Sequence, residues 1–271
     1  MANEKKTSND KEITGMIFNI ERHALNDGPG IRTLVFMKGC DLRCPWCSNP
    51  EGQNRLPEII FKEKNSQETE VVGYPVTPQE LFDEVVRDEI FYRHSGGGVT
   101  VTGGEPCLQP KFLKLFFKIC NDNNIHTAVE TSGFVSPQNI QNVLPVIDLF
   151  LYDLKHFDSE KHKKCTGFDN HLILRNLEHI SASEKEIVIR IPVIPEFNYS
   201  ITEIQMMVDY VKDLGTIKKI DLLPYHSLGI SKYYRLKRTY GLDKLKSLSL
   251  HDMKELKNKL KPYDIEINID V

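Results

Sequence analysis

Two rhythms of apolar and polar positions run along this chain. Short, nearly continuous apolar stretches rich in β-branched residues recur at Arg32–Lys38, Gly98–Thr102, Thr127–Thr131, Leu149–Leu154, Ile187–Ile194 and Lys219–Leu223. Gly, Pro or polar turn residues bound each of them, which predicts six buried strands. Elsewhere apolar residues return every three or four positions, the period of an amphipathic helix, over Pro78–Tyr92, Lys111–Asp122, Pro137–Val143, His171–Ser181, Thr202–Asp213 and Leu250–Lys261. Thr77 is placed to cap the first helix, and Glu80 stands where a capping box needs it. The Gln53–Val76 stretch reads as irregular, with a small hairpin around Glu58–Phe61 and Val71–Val72, while Ile13–Ile20 and Ile265–Ile269 are expected to add outer strands.

Strand and helix alternate throughout, which favours a parallel sheet covered by helices, and six βα units fit either an open barrel or a doubly wound sheet. In both, function sits at the carboxyl ends of the strands. A chain of 271 residues holds one such domain over residues 13–271, with the polar residues 1–12 expected to be disordered. The composition, 40% hydrophobic and 27% charged, is that of a globular protein, and a net charge of −3 provides no basic field for nucleic acid. The charged N-terminus lacks the apolar core of a signal peptide and no later run is long enough to span a membrane, so a cytoplasmic location is expected.

The cysteines change this picture. Cys40, Cys44 and Cys47 crowd into one loop after an apolar strand, while Cys107, Cys120 and Cys165 are scattered and are expected to be buried thiols. Soft thiolates suit iron, and Gly39 and Pro45 disfavour a helix through the loop, so three sulfurs can converge there. An iron–sulfur cubane normally takes four protein ligands; three leave one iron for an exogenous ligand. A Cys₃His zinc site is the alternative, although no histidine follows at zinc-finger spacing.

The C-x-x-x-C-x-x-C spacing with Trp46 before the last cysteine resembles the radical S-adenosylmethionine superfamily. The resemblance implies one [4Fe–4S] cluster on Cys40, Cys44 and Cys47, its open iron chelated by the amine and carboxylate of S-adenosylmethionine, with Trp46, Cys47 and Ser48 beside the nucleoside. Gly103-Gly104-Glu105, at the end of the second predicted strand, matches the family's cofactor-binding motif; its glycines allow close backbone approach and Glu105 is expected to receive the ammonium group. Asp153, Leu154 and Lys155 close the fourth strand, where alternation puts Asp153 and Lys155 on one face and Lys155 within reach of the methionyl carboxylate. Arg190, inside an apolar strand, requires an anionic neighbour. His226, after the sixth strand, is placed to contact adenine or ribose. Glu130, Thr131 and Asp153 supply hard oxygens for a monovalent cation, a site the resemblance suggests.

The flanks narrow the resemblance. Asp27-Gly28-Pro29-Gly30-Ile31-Arg32 before the loop and Ser48-Asn49-Pro50-Glu51 after it, followed by GGGVTVTGGEP, VETSGF, LYDLKH and LLPYHSLGISKY, look like glycyl-radical enzyme activating enzymes such as the pyruvate formate-lyase activator. That family implies a partial (βα)₆ TIM-type barrel, open on one side and with short terminal additions, that admits a glycine-bearing loop of a larger partner. It also implies a flavodoxin or ferredoxin as electron donor and a free enzyme that is a monomer. Asp27 would orient the target peptide. Ser48–Glu51 looks more like activators of dehydratases and carbon–nitrogen lyases, yet no cysteine lies between Cys47 and Cys107, so the ferredoxin-like insert of many such activators is not expected. The alternatives are a radical enzyme acting on a small molecule, or a non-catalytic iron–sulfur or zinc module. The basic aromatic stretch Lys232–Tyr240 is read as a partner-contacting or solvated rim rather than a nucleic-acid site.

Overall fold

The computed structural model describes residues 13–64, 67–260 and 264–270. The expected disorder of residues 1–12 concerns residues outside these. The strands are β1 (Gly15–Ala24), β2 (Arg32–Met37), β3 (Glu58–Phe61), β4 (Thr69–Val72), β5 (Tyr74–Val76), β6 (Gly98–Gly103), β7 (His126–Thr131), β8 (Leu149–Asp153), β9 (Glu186–Val193), β10 (Lys219–Pro224) and β11 (Glu266–Ile269). The helices are α1 (Pro78–Val85), α2 (Glu89–Ser95), α3 (Pro110–Asp122), α4 (Pro137–Val143), α5 (Ser159–Thr166), α6 (His171–Ser181), α7 (Ile201–Asp213), α8 (Ile230–Arg235) and α9 (Leu250–Lys259).

A single sheet runs in the order β11-β10-β9-β8-β7-β6-β2-β1-β5, parallel from β11 to β2, with β1 and β5 added antiparallel at one edge. The six predicted strands are β2 and β6 to β10, and the expected outer strands are β1 and β11. This is the open partial barrel, with β3 and β4 forming a separate hairpin.

Alternation along the strands decides what faces the site. Phe150 and Tyr152 of β8 pack outward into the main core with Phe112, Phe116 and Phe117 of α3, whereas Leu149 and Leu151 join Ala128 and Val188 in a small inner cluster. The next inner positions are Glu130, Asp153 and Arg190, and Asp153 stands directly opposite Arg190 in register. A polar floor thus rests on an apolar plug.

Two elements differ from expectation. The predicted helix Pro78–Tyr92 is broken, because α1 stops at Val85 and a tight turn at Val86–Asp88 precedes α2. Buried Asp88 explains the break: it accepts hydrogen bonds from Arg22 (2.5 Å) and the Thr33 hydroxyl (2.7 Å), which fixes it against the sheet. The Thr77–Glu80 capping box forms as expected, with Glu80 N donating to Thr77 Oγ1 at 3.2 Å and Thr77 N to Glu80 Oε2 at 2.8 Å. The unpredicted α5 buries only His162 and Thr166, so its charged sequence carries no apolar stripe to read.

The basic stretch after β10 is also placed differently from a free rim. Lys232 bonds Asn49 Oδ1 at 2.7 Å and pairs with Glu51 at 3.1 Å, Arg235 bonds the Phe61 carbonyl at 2.8 Å and Glu70, and Arg238 bonds the Pro50 carbonyl at 2.7 Å and Glu58 at 2.5 Å. Three cations are therefore held by the chain's own residues 49–70, and the stretch straps the segment that follows the cysteine loop.

Candidate functional site

The cysteine loop starts where β2 ends and is fixed by backbone. Gly39 N donates to Gly52 O at 2.7 Å, Cys40 N to Gln53 O at 3.1 Å, and Glu105 N to Gly39 O at 2.6 Å. Gly104 sits between these segments: a β-carbon there would lie 2.3 Å from Gly39 O and 2.6 Å from Gly52 O. Leu42 anchors the loop in the core, and Arg43 Nη1 ties it by donating to Cys40 O at 2.5 Å.

This arrangement opens Cys40, Cys44 and Cys47 onto one cavity of about 630 Å³, within the range of sites that enclose a small molecule. All three are free thiols. Burial pushes the Cys44 thiol up to about 12, with Cys47 and Asp153 adding to burial and Lys155 opposing it, and burial likewise raises Cys40 and Cys47. Buried thiols of this kind become thiolates only against a strong local positive charge, which iron provides. A donor set of three soft sulfurs on one cavity wall fits an iron–sulfur cluster with one open iron.

Of the other residues singled out from sequence, Asp27, Trp46, Ser48, Gly103, Gly104, Glu130, Thr131, Asp153, Lys155, Arg190 and His226 also line the cavity. Lys155 is buried with its ammonium 2.7 Å from Asp153 Oδ2; burial works against its charge, but Asp153 and the thiols hold its pKa above the usual value. Asp153 Oδ1 is buried without a partner and remains free to accept. Trp46 is held by Phe197, ring centroids 4.7 Å apart, and by Ile194 and Tyr225. Burial lowers the His226 pKa, which favours its neutral ring.

Arg190 finds its anions within the chain. Its guanidinium reaches Glu130 at 2.9 Å, Asp270 at 3.0 Å, Asp27 at 3.3 Å and the Asn26 carbonyl at 3.1 Å. Burial opposes its charge, but these carboxylates raise its pKa, while Glu130, raised by burial, is pulled back by Arg190. The anionic neighbours that an arginine inside an apolar strand requires are thus supplied by the chain itself, and Arg190 forms a junction that joins the glycine-rich loop, β7 and the residue after the C-terminal strand.

Two other expectations are corrected. Glu105 does not face the amine: it is 1% exposed and already accepts from Cys107 N (3.2 Å), the Thr131 hydroxyl (2.6 Å), Ser132 N (2.9 Å) and the Ser132 hydroxyl (2.7 Å). Its task is to brace the turn after β7 against the Gly103-Gly104 backbone. Leu154 points its side chain into the main core, and only its N–H is engaged near the site, donating to Arg190 O at 2.9 Å. The Thr131 hydroxyl that donates to Glu105 accepts in turn from Gly133 N at 2.9 Å. Among the described residues no three His, Cys, Asp or Glu side chains form a single-ion site.

Sequence reasoning missed Asp270, Asn26 and Gln53. Asp270 follows the short strand β11 and offered only one signal, a strand-end carboxylate like Asp153. Gln53 hydrogen-bonds the Cys47 thiol and lines the cavity, though nothing in its irregular stretch marks it.

With this geometry in view, comparison with known proteins is direct. The sequence model of the Radical SAM superfamily matches residues 34–211, which run from β2 through the cysteine loop and β9 into α7. The chain belongs to the radical SAM superfamily. Within it, the relatives are activating enzymes of glycyl-radical enzymes. The choline trimethylamine-lyase activating enzyme of Oleidesulfovibrio alaskensis is 34% identical over 95% of this chain and 98% of its own length. The trans-4-hydroxy-L-proline dehydratase activating enzyme of Clostridioides difficile is 32% identical over 89% and 94% respectively. A crystal structure of a domain of pyruvate-formate lyase-activating enzyme from Bacteroides vulgatus matches with a TM-score of 0.54 and 31% identity, covering 64% of this chain and 99% of that one. Streptococcus suis SuiB bound to precursor peptide SuiA shares the fold alone, with a TM-score of 0.63 at 14% identity over 86% of this chain and 46% of SuiB. Membership implies a [4Fe–4S] cluster and S-adenosylmethionine, which the donor set and cavity fit.

Proposed function

We propose that this chain activates a glycyl-radical enzyme of the dehydratase or carbon–heteroatom lyase kind, with Cys40, Cys44 and Cys47 as the only cluster ligands. The observation that carries the reading is the convergence of three thiols on a cavity whose wall also holds Lys155, Asp153, the Gly103-Gly104 backbone and His226. When bound, the cluster and S-adenosylmethionine supply a one-electron reductive cleavage to methionine and a 5′-deoxyadenosyl radical, which takes a hydrogen atom from a glycine of the partner.

The chain's own part is placement and exclusion of water. Lys155 neutralises the methionyl carboxylate, the Gly103-Gly104 backbone lets the amino acid approach, and Asp153 Oδ1 accepts from the amine in place of Glu105. Trp46, Ser48 and His226 bound the nucleoside. Arg190 holds Asp27 and Glu130 at the mouth, where Asp27 orients the target peptide. A monovalent cation in this reading takes Glu130, Thr131 and Asp153 as oxygen donors. A monomeric enzyme in the reducing cytoplasm, served by a flavodoxin or ferredoxin, agrees with six free cysteines. Among the described residues no helix is long and apolar enough to cross a membrane.

The test is anaerobic reconstitution with iron and sulfide, reduction with dithionite, and chromatography of the products. Methionine and 5′-deoxyadenosine are expected in equal amounts, and Cys44→Ala should abolish both. A reconstituted protein that yields neither refutes the reading. A glycyl-radical signal by electron paramagnetic resonance, in a candidate glycyl-radical enzyme mixed with the reconstituted chain, tests the partner.

A further inference from the structure

One short turn outside the cavity touches the supports of two residues that line it. The turn, residues 195–198, joins β9 to α7 and is drawn tight on Ile194 O, which accepts from the backbone N–H groups of Phe197 (3.2 Å), Asn198 (3.1 Å) and Tyr199 (3.2 Å). The half-buried Phe197 ring contacts two others: Trp46 on the cavity wall, with centroids 4.7 Å apart, and His156 away from it, at 5.1 Å. His156 is fully buried, and its orientation is fixed. Its Nδ1 accepts from Asp158 N at 2.9 Å, which leaves the proton on Nε2, 3.1 Å from Glu203 of α7. Asn198 is fully buried as well, and commits its amide to backbone. Its Oδ1 accepts from Ile194 N at 2.7 Å, and its Nδ2 donates to Pro192 O at 2.7 Å and to Lys155 O at 2.9 Å. Neither Phe197 nor Asn198 lines the cavity itself.

We propose that Phe197 and Asn198 are positioning residues that set the two halves of the cofactor separately: Phe197 the nucleoside half through Trp46, and Asn198 the methionyl half through Lys155. The inference rests on the activating-enzyme reading above, which puts the nucleoside against Trp46 and the methionyl carboxylate against Lys155. An indole that lines a cavity keeps its plane only if the ring is packed from behind. Trp46 belongs to a small cluster with Ile194 and Tyr225, apart from the main core, so the Phe197 ring, itself backed by His156, is its aromatic support. Lys155 lies two residues beyond the end of β8, and there the Asn198 amide takes the place of a strand partner for its carbonyl. A long, flexible side chain reaches a fixed point only from a fixed backbone, and Asn198 supplies that fixture. Because one turn carries both supports, the hook for the amino acid and the wall for the nucleoside keep a constant separation.

The experiment treats the halves as separate probes. In the reconstituted full chain, 5′-deoxyadenosine and methionine are each titrated as inhibitors of dithionite-supported S-adenosylmethionine cleavage. In the apo-protein, acrylamide quenching follows Trp46, the only tryptophan in the chain. Phe197→Leu should raise the inhibition constant of 5′-deoxyadenosine about fivefold, leave that of methionine within about twofold, and increase Trp46 quenching about twofold, the scale of one lost aromatic contact. Phe197→Tyr should restore all three. Asn198→Ser should show the converse, with methionine weakened about fivefold and 5′-deoxyadenosine and Trp46 quenching close to the parent. Melting temperature reports whether Asn198→Ser folds, and Phe197→Leu decides the matter if it does not. Equal weakening of both probes by Phe197→Leu, no weakening of either, or unchanged Trp46 quenching overturns the proposal, since a role in folding alone moves both halves together. A parent that cleaves no S-adenosylmethionine overturns the activating-enzyme reading instead.

Discussion

Arg190→Met is the substitution that most directly tests how the floor of the site is held. The guanidinium is 6% exposed and compensates Glu130, Asp27 and Asp270, whose side chains are 24%, 23% and 18% exposed. Removing one partner of a buried pair leaves uncompensated charge, at a cost of about 3–5 kcal/mol. Because each carboxylate keeps roughly a fifth of its surface toward water, the lower end, about 3 kcal/mol, is expected. The loss carries a pH signature. Burial already raises the Glu130 pKa and Arg190 opposes that rise, so without Arg190 the folded-state value climbs further above the unfolded one. A carboxyl shifted upward binds its proton more tightly when folded. The stability it contributes is full below the unfolded value and is lost as pH rises through the folded one. The deficit of Arg190→Met should therefore shrink as pH falls through the raised folded-state value toward the ordinary carboxylate range. Urea denaturation of the apo-protein under reducing, anaerobic conditions measures it. A loss below about 1 kcal/mol, or one that does not change with pH, would refute the assignment of Arg190 as the junction of three carboxylates.

Other substitutions separate backbone from side-chain roles. Gly104→Ala puts a methyl 2.3 Å from Gly39 O and 2.6 Å from Gly52 O, so the cysteine loop must shift; a loss of at least about 1–3 kcal/mol and reduced iron retention are expected, by thermal melting and iron analysis. Glu105→Ala should remove the brace for Ser132 and Thr131 and cost about 2–4 kcal/mol, with the larger effect on melting temperature than on cofactor affinity in the surviving fold. Thr77→Ala, remote from the site, should cost about 1 kcal/mol in melting without changing cofactor cleavage.

The barrel was legible because its strands are buried on both faces and read as unbroken apolar runs, which periodicity detects directly. The cysteine loop was legible because its three cysteines lie close together in the chain. What could not be read were pairings between distant segments. Arg190 announced that it needed an anion, and its place in an apolar strand said as much; that the anions are Asp27, Glu130 and Asp270 depends on the sheet bringing residues 27, 130 and 270 to one floor. Glu105 was assigned to the ligand because a motif does not show which way a side chain turns, and Ser132 and Thr131, close by after β7, claim its oxygens first. Helix α5 escaped notice because it buries too little to impose a period.

The strap formed by Lys232, Arg235 and Arg238 has a bearing on the order of assembly. During synthesis the cysteines emerge within the first fifth of the chain, yet the segment that positions them, residues 49–61, is fastened by side chains made almost two hundred residues later. The nascent chain can pair β2 with β6 long before it can seat the Pro50–Gly52 turn against the loop. A cysteine loop whose flanking segment is fastened in this way therefore exists only once the chain has been made past Arg238.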